Sequence, residues 1–376
     1  MIFKPKALSM AMVAVCSAGS VVAGGADIIL MPTEMMFEKG NYLEVSTVKV
    51  SPSVTSTAVA PTPTAVAPNN SMYPDYSATT LAFKMDVNDK IAVGFADYLS
   101  AGIYVDYRND PTLPAFVDLS IRSRLLAVKY QVNENVSILG GWKHSKTSNA
   151  TANVLANPVG VLTIPSASDS AFALLAAYEK PEIALRVSGL YQSATKFDLP
   201  MTAAGHPSGS PVLLNGKAGL PKSMTLRFQS GVAKDTLIFG SVHRGDWAKS
   251  QIEFETDFTG SAYTGKSGKL DARSSFTTTT AYTLGLGRKL SEKYAVSATY
   301  GWEKGSGATG ASLLSTTNGK KSLTLGGKFT SGRMTVSAGY SRIEFGDYTN
   351  TTATTGVNLF SGNTADVIGL KLGFSL

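Results

Sequence analysis

The chain holds three histidines, His144, His206 and His243, and one cysteine, Cys16. Imidazole acid–base or thiol chemistry would have to be built on these. His144 precedes Ser145, and a membrane phospholipase would need a His, a Ser and an orienting polar group on its lipid face. Adjacent residues on a strand point to opposite faces, so these two cannot form that dyad directly. His206 stands beside Pro207 in a loop, and His243 reads as a rim residue near Trp247. No paired carboxylates, phosphate loop, dinucleotide fingerprint or metal-ligand spacing stands out, so no enzyme, cofactor or metal is expected. What remains are dispersed cations: Lys143, Arg186, Arg227, Lys328 and Lys371. The formal charge is +7, yet there is no compact basic run with stacking aromatics, which argues against nucleic acid. Cations spread inside an enclosed space attract carboxylates or other anions. The plainer alternative pairs them with acids such as Glu44 and Glu253, with no further role.

These side chains need a scaffold. Gly is frequent (36 residues), charged residues make up 16%, and mean hydropathy is near neutral. That composition suits many short strands and turns. At the N-terminus Lys4 and Lys6 precede an uncharged run, and Val21-Val22-Ala23 offers a small-residue cleavage site. Residues 1–23 read as a secretory signal, which leaves no cysteine in the mature chain. Beyond them no stretch approaches the roughly 18 apolar residues of a membrane helix. An exported all-β protein is expected, either a secreted globule or an outer-membrane barrel.

Alternation decides between them. "KSLTLGGKF" sets Leu323, Leu325 and Phe329 against Ser322, Thr324 and Lys328, and "MTVSAGYSR" repeats the pattern with Met334, Val336, Ala338 and Tyr340. Fourteen strands are predicted: 41–51, 76–87, 91–107, 115–131, 135–148, 169–179, 182–198, 222–231, 235–256, 275–289, 293–305, 319–330, 333–347 and 363–376. In 115–131 the phase of Leu126, Val128 and Tyr130 disagrees with that of Leu119 and Ile121, which predicts a bulge near Ser123. Short turns such as "VNEN" and "TSGR" alternate with long polar loops at 52–74, 149–168, 199–221, 257–274, 306–318 and 348–362. An even strand count with short turns at one end and long loops at the other is the signature of an outer-membrane barrel. The terminal strand, "DVIGLKLGFSL", then has to pair with the first to close the wall. Its alternate Phe374 also suits recognition by the barrel-insertion machinery.

With the apolar face toward lipid, Lys143, Arg186, Arg227, Lys328 and Lys371 face the lumen, and the bulge leaves Arg122 and Arg124 open. Trp142, Tyr178, Tyr191, Trp302 and Tyr340 fall on the lipid face, and those at strand ends form interfacial girdles. A soluble sandwich inverts these faces, but it has no reason to alternate turn lengths.

Several stretches resemble the FadL/TodX family of outer-membrane transporters for fatty acids and hydrocarbons. They are "MFEKGNYLEVSTVKVSPSV", "LAFKMDVNDKIAVGF", "AAYEKPEIALRVSGLYQS", "PKSMTLRFQSGVAKDTLIFGSVHRGDW" and "VIGLKLGFSL". The resemblance implies a fourteen-strand barrel, an N-terminal hatch, hydrophobic cargo and a lateral gap where the third strand kinks. Residues 24–40, "GGADIILMPTEMMFEKG", are short for that hatch and lack its Asn-Pro-Ala element. Met31, Pro32, Met35, Met36 and Phe37 suit a small apolar plug, because Met adapts to varied ligands. The alternative is a disordered leader whose apolar residues line the barrel floor. The kink region aligns with "FADYLSAGIYVDY", placing Asp97, Ser100 and Gly102 at the gate, without the proline that relatives often carry there. Gly102 offers a bend in its place.

The sequence thus predicts a monomeric outer-membrane barrel of a Gram-negative bacterium, 41–376, with a shortened plug, 24–40. It would carry fatty acids or other hydrophobic molecules, with Met31, Met35, Met36, Phe37, Lys143, Arg186 and Arg227 as candidate ligand contacts. A general porin, or a barrel that displays its loops for adhesion, is the other reading.

Overall fold

The computed structural model describes residues 26, 28–59, 70–108, 115–153, 161–204, 211–255, 258–259, 262–263, 270–305, 307, 309–310, 312–352 and 356–376. The leader expected over 1–23, with Cys16, and His206 lie outside the described residues.

Fourteen antiparallel strands make one closed wall. In chain order they are β1 (Tyr42–Ser53), β2 (Tyr76–Asp86), β3 (Ile91–Asp106), β4 (Phe116–Gln131), β5 (Val136–Thr147), β6 (Ser168–Lys180) and β7 (Leu185–Gln192). They continue as β8 (Ser223–Ala233), β9 (Thr236–Gly245), β10 (Thr279–Lys289), β11 (Tyr294–Glu303), β12 (Lys320–Ser331), β13 (Met334–Phe345) and β14 (Thr364–Ser375). The terminal strand is the seam: β14 pairs with β13 and with β1, from Tyr42 opposite Ser375 to Ser53 opposite Thr364. The Leu376 amide donates to the Asn41 carbonyl at 2.9 Å, so pairing runs to the last residue. No described helix is long and apolar enough to cross a membrane; the strands do the crossing.

The outer surface carries the apolar set. Leu126, Leu174, Leu226, Leu286, Leu325 and Ile368 are exposed around the wall. Tyr130, Tyr178 and Tyr294 stand beside the short turns. Trp142, Tyr282 and Trp302 stand toward the loops, where Tyr282 stacks on Trp302 at 5.0 Å. Two aromatic girdles bounding an aliphatic band mark a transmembrane barrel.

The bulge expected near Ser123 is absent from β4. That strand keeps one phase throughout: Val117, Leu119, Ile121, Ser123 and Leu125 face inward, and Arg122, Arg124, Leu126 and Val128 outward. Its polarity reverses because its upper half has left the lipid. There water lies outside, and an apolar core lies beneath the loops. The register does slip, but on the facing strand: Leu99 of β3 opposes Arg122, Ala101 opposes Ile121, and Ser100 between them has no opposed residue on β4. The change of phase in the sequence of β4 thus reflects its surroundings and not a bulge, while the slip on β3 left no such mark.

Strands seven and nine are shorter than expected, and described parts of the long loops form further strands. After Gln192 the chain leaves the wall, and Thr195–Ala204 pairs with Val212–Leu220. After Gly245 a turn at Trp247–Lys249 leads to Glu253–Glu255, which joins the same hairpin. These segments also alternate. Their buried face, including Phe197, Leu199, Met201, Leu214 and Phe254, forms one apolar cluster over the barrel mouth.

Candidate functional site

The N-terminal segment lies inside the barrel. Its 3-10 turn, Glu34–Phe37, buries Met35 and Met36. Together with Met31 they pack on Ala82, Ala92, Ala96, Leu125, Ala127 and Ala173 of the inner wall. Alanines leave room there that larger side chains would fill. At Gly94 even a Cβ would collide with the Met36 sulfur and sit 3.0 Å from Met35 Cε. A Gly94→Leu variant is therefore expected to unseat the turn. Hydrogen exchange of the peptide spanning residues 28–40 should then quicken about tenfold or more, since a displaced segment loses its tertiary protection. Unchanged exchange would show that Gly94 does not seat the plug.

Charge holds the same segment. Arg186 and Arg227 project inward from the paired strands β7 and β8, where Ser188 opposes Arg227. Both converge on one plug carboxylate: Arg186 Nη2 lies 3.4 Å and Arg227 Nε 3.6 Å from Glu34. Arg186 also stacks over the Phe37 ring at 4.1 Å, and Lys129 approaches that ring at 5.1 Å. Lys84 Nζ donates to the Glu38 and Gly40 carbonyls, each at 2.9 Å. Burial pushes the Glu38 carboxyl up, against the opposing pull of Lys328 and Lys371. Lys371 pairs with Glu44 at 3.3 Å, so that lumen cation is matched within the wall; Glu253 lies in the outer hairpin.

Of the predicted contacts, the structure brings together Met31, Met35, Met36, Phe37, Arg186 and Arg227. Lys143 stands apart from them. It is buried and donates to Gln192 Oε1 at 3.4 Å. It lies opposite Ala171 of β6 whereas Arg186 lies opposite Glu179, about 25 Å along the strand. Lys84, Lys129 and Glu34 were missed. The two lysines obey the same inward alternation as the cations that were found, so the signal was present for them. Glu34 carried none, because its role depends on where a non-strand segment lies.

The wall itself is split beside the plug. β2 and β3 pair from Asp86 opposite Ala92 up to Thr80 opposite Tyr98, and there the ladder stops. β2 continues against β1 to Tyr76, and β3 continues against β4 to Asp106. From Tyr98 to Ile103 β3 is buried on both faces, so it bends inward behind β2. Tyr76 and Tyr104 stack across the separation with centroids 5.2 Å apart. The bared edge of β3 is capped by the plug segment: Ile28 N–H donates to the Ser100 carbonyl at 3.0 Å, and Gly102 N–H to the Ala26 carbonyl at 3.1 Å. The Asp106 amide returns the edge to the wall by donating to Met72 at 2.8 Å. A Cβ on Gly102 would sit 3.0 Å from both Ile28 Cδ1 and the Tyr104 ring, so glycine is what allows this approach. Ser100 and Gly102 thus fall at the split. Asp97 does not: it lies below the last β2–β3 pair and faces outward, bound by Arg122 and Arg124.

Two histidines, His144 and His243, fall among the described residues. Ser145 points inward to Ser123 Oγ at 2.7 Å, while His144 faces outward, stacked on Trp142 and 3.1 Å from Ser170 Oγ. His243 is buried near the loop end of β9, two residues before Gly245, and is bonded to Thr225 at 2.8 Å. No cluster of three metal-ligating side chains occurs among the described residues.

No family model matches the sequence, and no curated protein is similar enough to match it. Solved structures share the fold. A Pseudomonas aeruginosa FadL homologue superposes with a TM-score of 0.73 at 11% identity, over 97% of this chain and 99% of that one. The P. putida toluene transporter TodX gives 0.65 at 12% identity, over 93% of both chains. The Ralstonia pickettii toluene transporter TbuX gives 0.57 at 14% identity, over 99% of this chain and 98% of that one.

Proposed function

We propose that this chain is a monomeric outer-membrane transporter for long-chain fatty acids and other hydrophobic small molecules. Cargo enters beneath the loops, displaces the plug and leaves sideways between β2 and β3 at the head-group boundary, where its chain can pass into the outer leaflet. The observation that carries this reading is the split itself, closed by a short segment and one ring pair rather than by a continuous ladder. A lateral apolar exit suits such cargo, because each CH₂ returned to water costs about 0.8 kcal/mol. The shared fold with a FadL homologue and two toluene transporters supports the same substrate class.

Glu34 supplies the trigger. Its carboxylate occupies the place on Arg186 and Arg227 that a fatty acid head group would take. At 3.4 and 3.6 Å the pairs are longer than well-formed charge-assisted hydrogen bonds, so an incoming carboxylate competes on favourable terms. In planar bilayers the refolded protein is expected to conduct little until a long-chain fatty acid is added. Glu34→Gln should raise the resting conductance several-fold without any ligand. Large, steady, ligand-insensitive conductance in the unsubstituted protein would instead favour a general porin. One feature leans that way: inward Ser297, Thr299, Ser322 and Thr324 on β11 and β12 keep the wall facing away from the plug polar and part-exposed.

A further inference from the structure

The outer face of β4 and β5 carries a charge arrangement that transport does not use. Cross-strand registers place side chains in rows across β3, β4, β5 and β6. One row reads Phe95, Leu126, Trp142, Phe172. The next toward the loops reads Asp97, Arg124, His144, Ser170, and the one above it Leu99, Arg122, Lys146, Ser168. The first row is apolar, and Leu126, Trp142 and Phe172 are each about half exposed to lipid. Two residues of strand rise is about 6.6 Å, so the cations begin one such step above the apolar band. That is the height at which lipid head groups lie.

The pairing within these rows is unfavourable by itself. Arg122 stands directly opposite Lys146 on the same face, and like charges directly opposite repel. Asp97 is shared by Arg122 and Arg124, whose side chains stay 47% and 66% exposed. Lys146 is exposed and has no acidic partner among the described residues. Two other cations of this rim do have an acid: Lys49 meets Asp75 at 3.2 Å, and Arg342 meets Asp366 at 2.6 Å. Three cations facing one carboxylate leave a local excess of positive charge exposed just above the lipid band.

We infer that Arg122, Arg124 and Lys146 bind the phosphate of a phosphorylated lipid in the outer leaflet, with its acyl chains lying along Leu126, Trp142 and Phe172. Guanidinium groups grip phosphate oxygens bidentately, and a dianion between Arg122 and Lys146 turns their repulsion into attraction. The apolar rows directly beneath distinguish a lipid from a free anion, because they give the attached chains a surface to cover. Asp97 competes with the phosphate for both arginines.

The test uses the full refolded protein in neutral detergent, titrated with bisphosphorylated lipid A while Trp142 fluorescence and the unfolding temperature are followed. Lipid A should raise the unfolding temperature. Inorganic phosphate and a dephosphorylated lipid A at equal concentration should have little effect. Arg122→Gln/Arg124→Gln/Lys146→Gln should weaken lipid A binding about tenfold or more. Asp97→Asn should tighten it, a gain that a merely structural ion-pair cluster would not show. Equal stabilisation by inorganic phosphate would make this a soluble-anion site and overturn the lipid assignment. Equal stabilisation by the dephosphorylated lipid would reduce it to apolar contact. If the triple variant does not fold, the sign of the Asp97→Asn effect decides, and weaker binding there overturns the inference.

Discussion

In cells carrying Arg186→Gln and Arg227→Gln together, uptake of a labelled long-chain fatty acid falls about tenfold or more, while uptake of a neutral hydrocarbon of equal length holds or rises. The opposite signs follow from the double duty of the two arginines. They grip Glu34 of the plug at 3.4 and 3.6 Å, and they offer the only paired guanidinium groups within reach of the plug turn among the described residues. Removing them frees the plug, which helps any cargo. It also removes the partners of a carboxylate head group. Hydrogen bonds to charged groups contribute about 1.5–3 kcal/mol each, so losing even one costs about tenfold in affinity. Fatty acid uptake therefore loses more from the missing partners than it gains from a looser plug. Equal loss for both cargoes would mean that the arginines support the barrel rather than select cargo.

Deletion of Ser100 is expected to abolish uptake of both cargoes while leaving a folded barrel in the membrane. Ser100 is the residue of β3 that no residue of β4 opposes, though its hydroxyl donates to the Ile121 carbonyl. Inserting or removing a residue in a strand ordinarily inverts every side chain beyond it. Here deletion joins Leu99 opposite Arg122 to Ala101 opposite Ile121 and leaves the orientation against β4 unchanged. The inward bend of β3 goes with the bulge, and a straight β3 can extend its ladder along β2 toward Tyr76. The exit is then sealed by backbone hydrogen bonds between β2 and β3. Heat-modifiable migration on gels reports the fold, and cell uptake reports the exit. Unimpaired uptake by a folded deletion variant would place the exit elsewhere.

Most of the wall was legible in the sequence. Period-2 alternation in "KSLTLGGKF" or "DVIGLKLGFSL" is a local property, because the pleat sends neighbouring side chains to opposite faces whatever surrounds them. It therefore placed Arg186, Arg227, Lys328 and Lys371 in the lumen and identified the closing strand. It misled where the environment changes along one strand. In β4, Ile121 and Leu126 are both apolar yet face opposite ways, since one lies under the loops and the other in lipid. No local rule announces that change.

What the sequence determined by itself was the barrel: strand count, turn asymmetry, seam and the sign of the lumen. Those depend on residues close in the chain and on the demand that no edge be left open in lipid. Tertiary structure alone decided that Glu34 meets Arg186 and Arg227, that Gly94 receives Met36, and that Ala26 and Ile28 cap the bared edge of β3. Each of those contacts joins the irregular N-terminal segment to strands remote in sequence. A segment without periodicity takes its position from the cavity left for it, and that cavity exists only after the wall has closed.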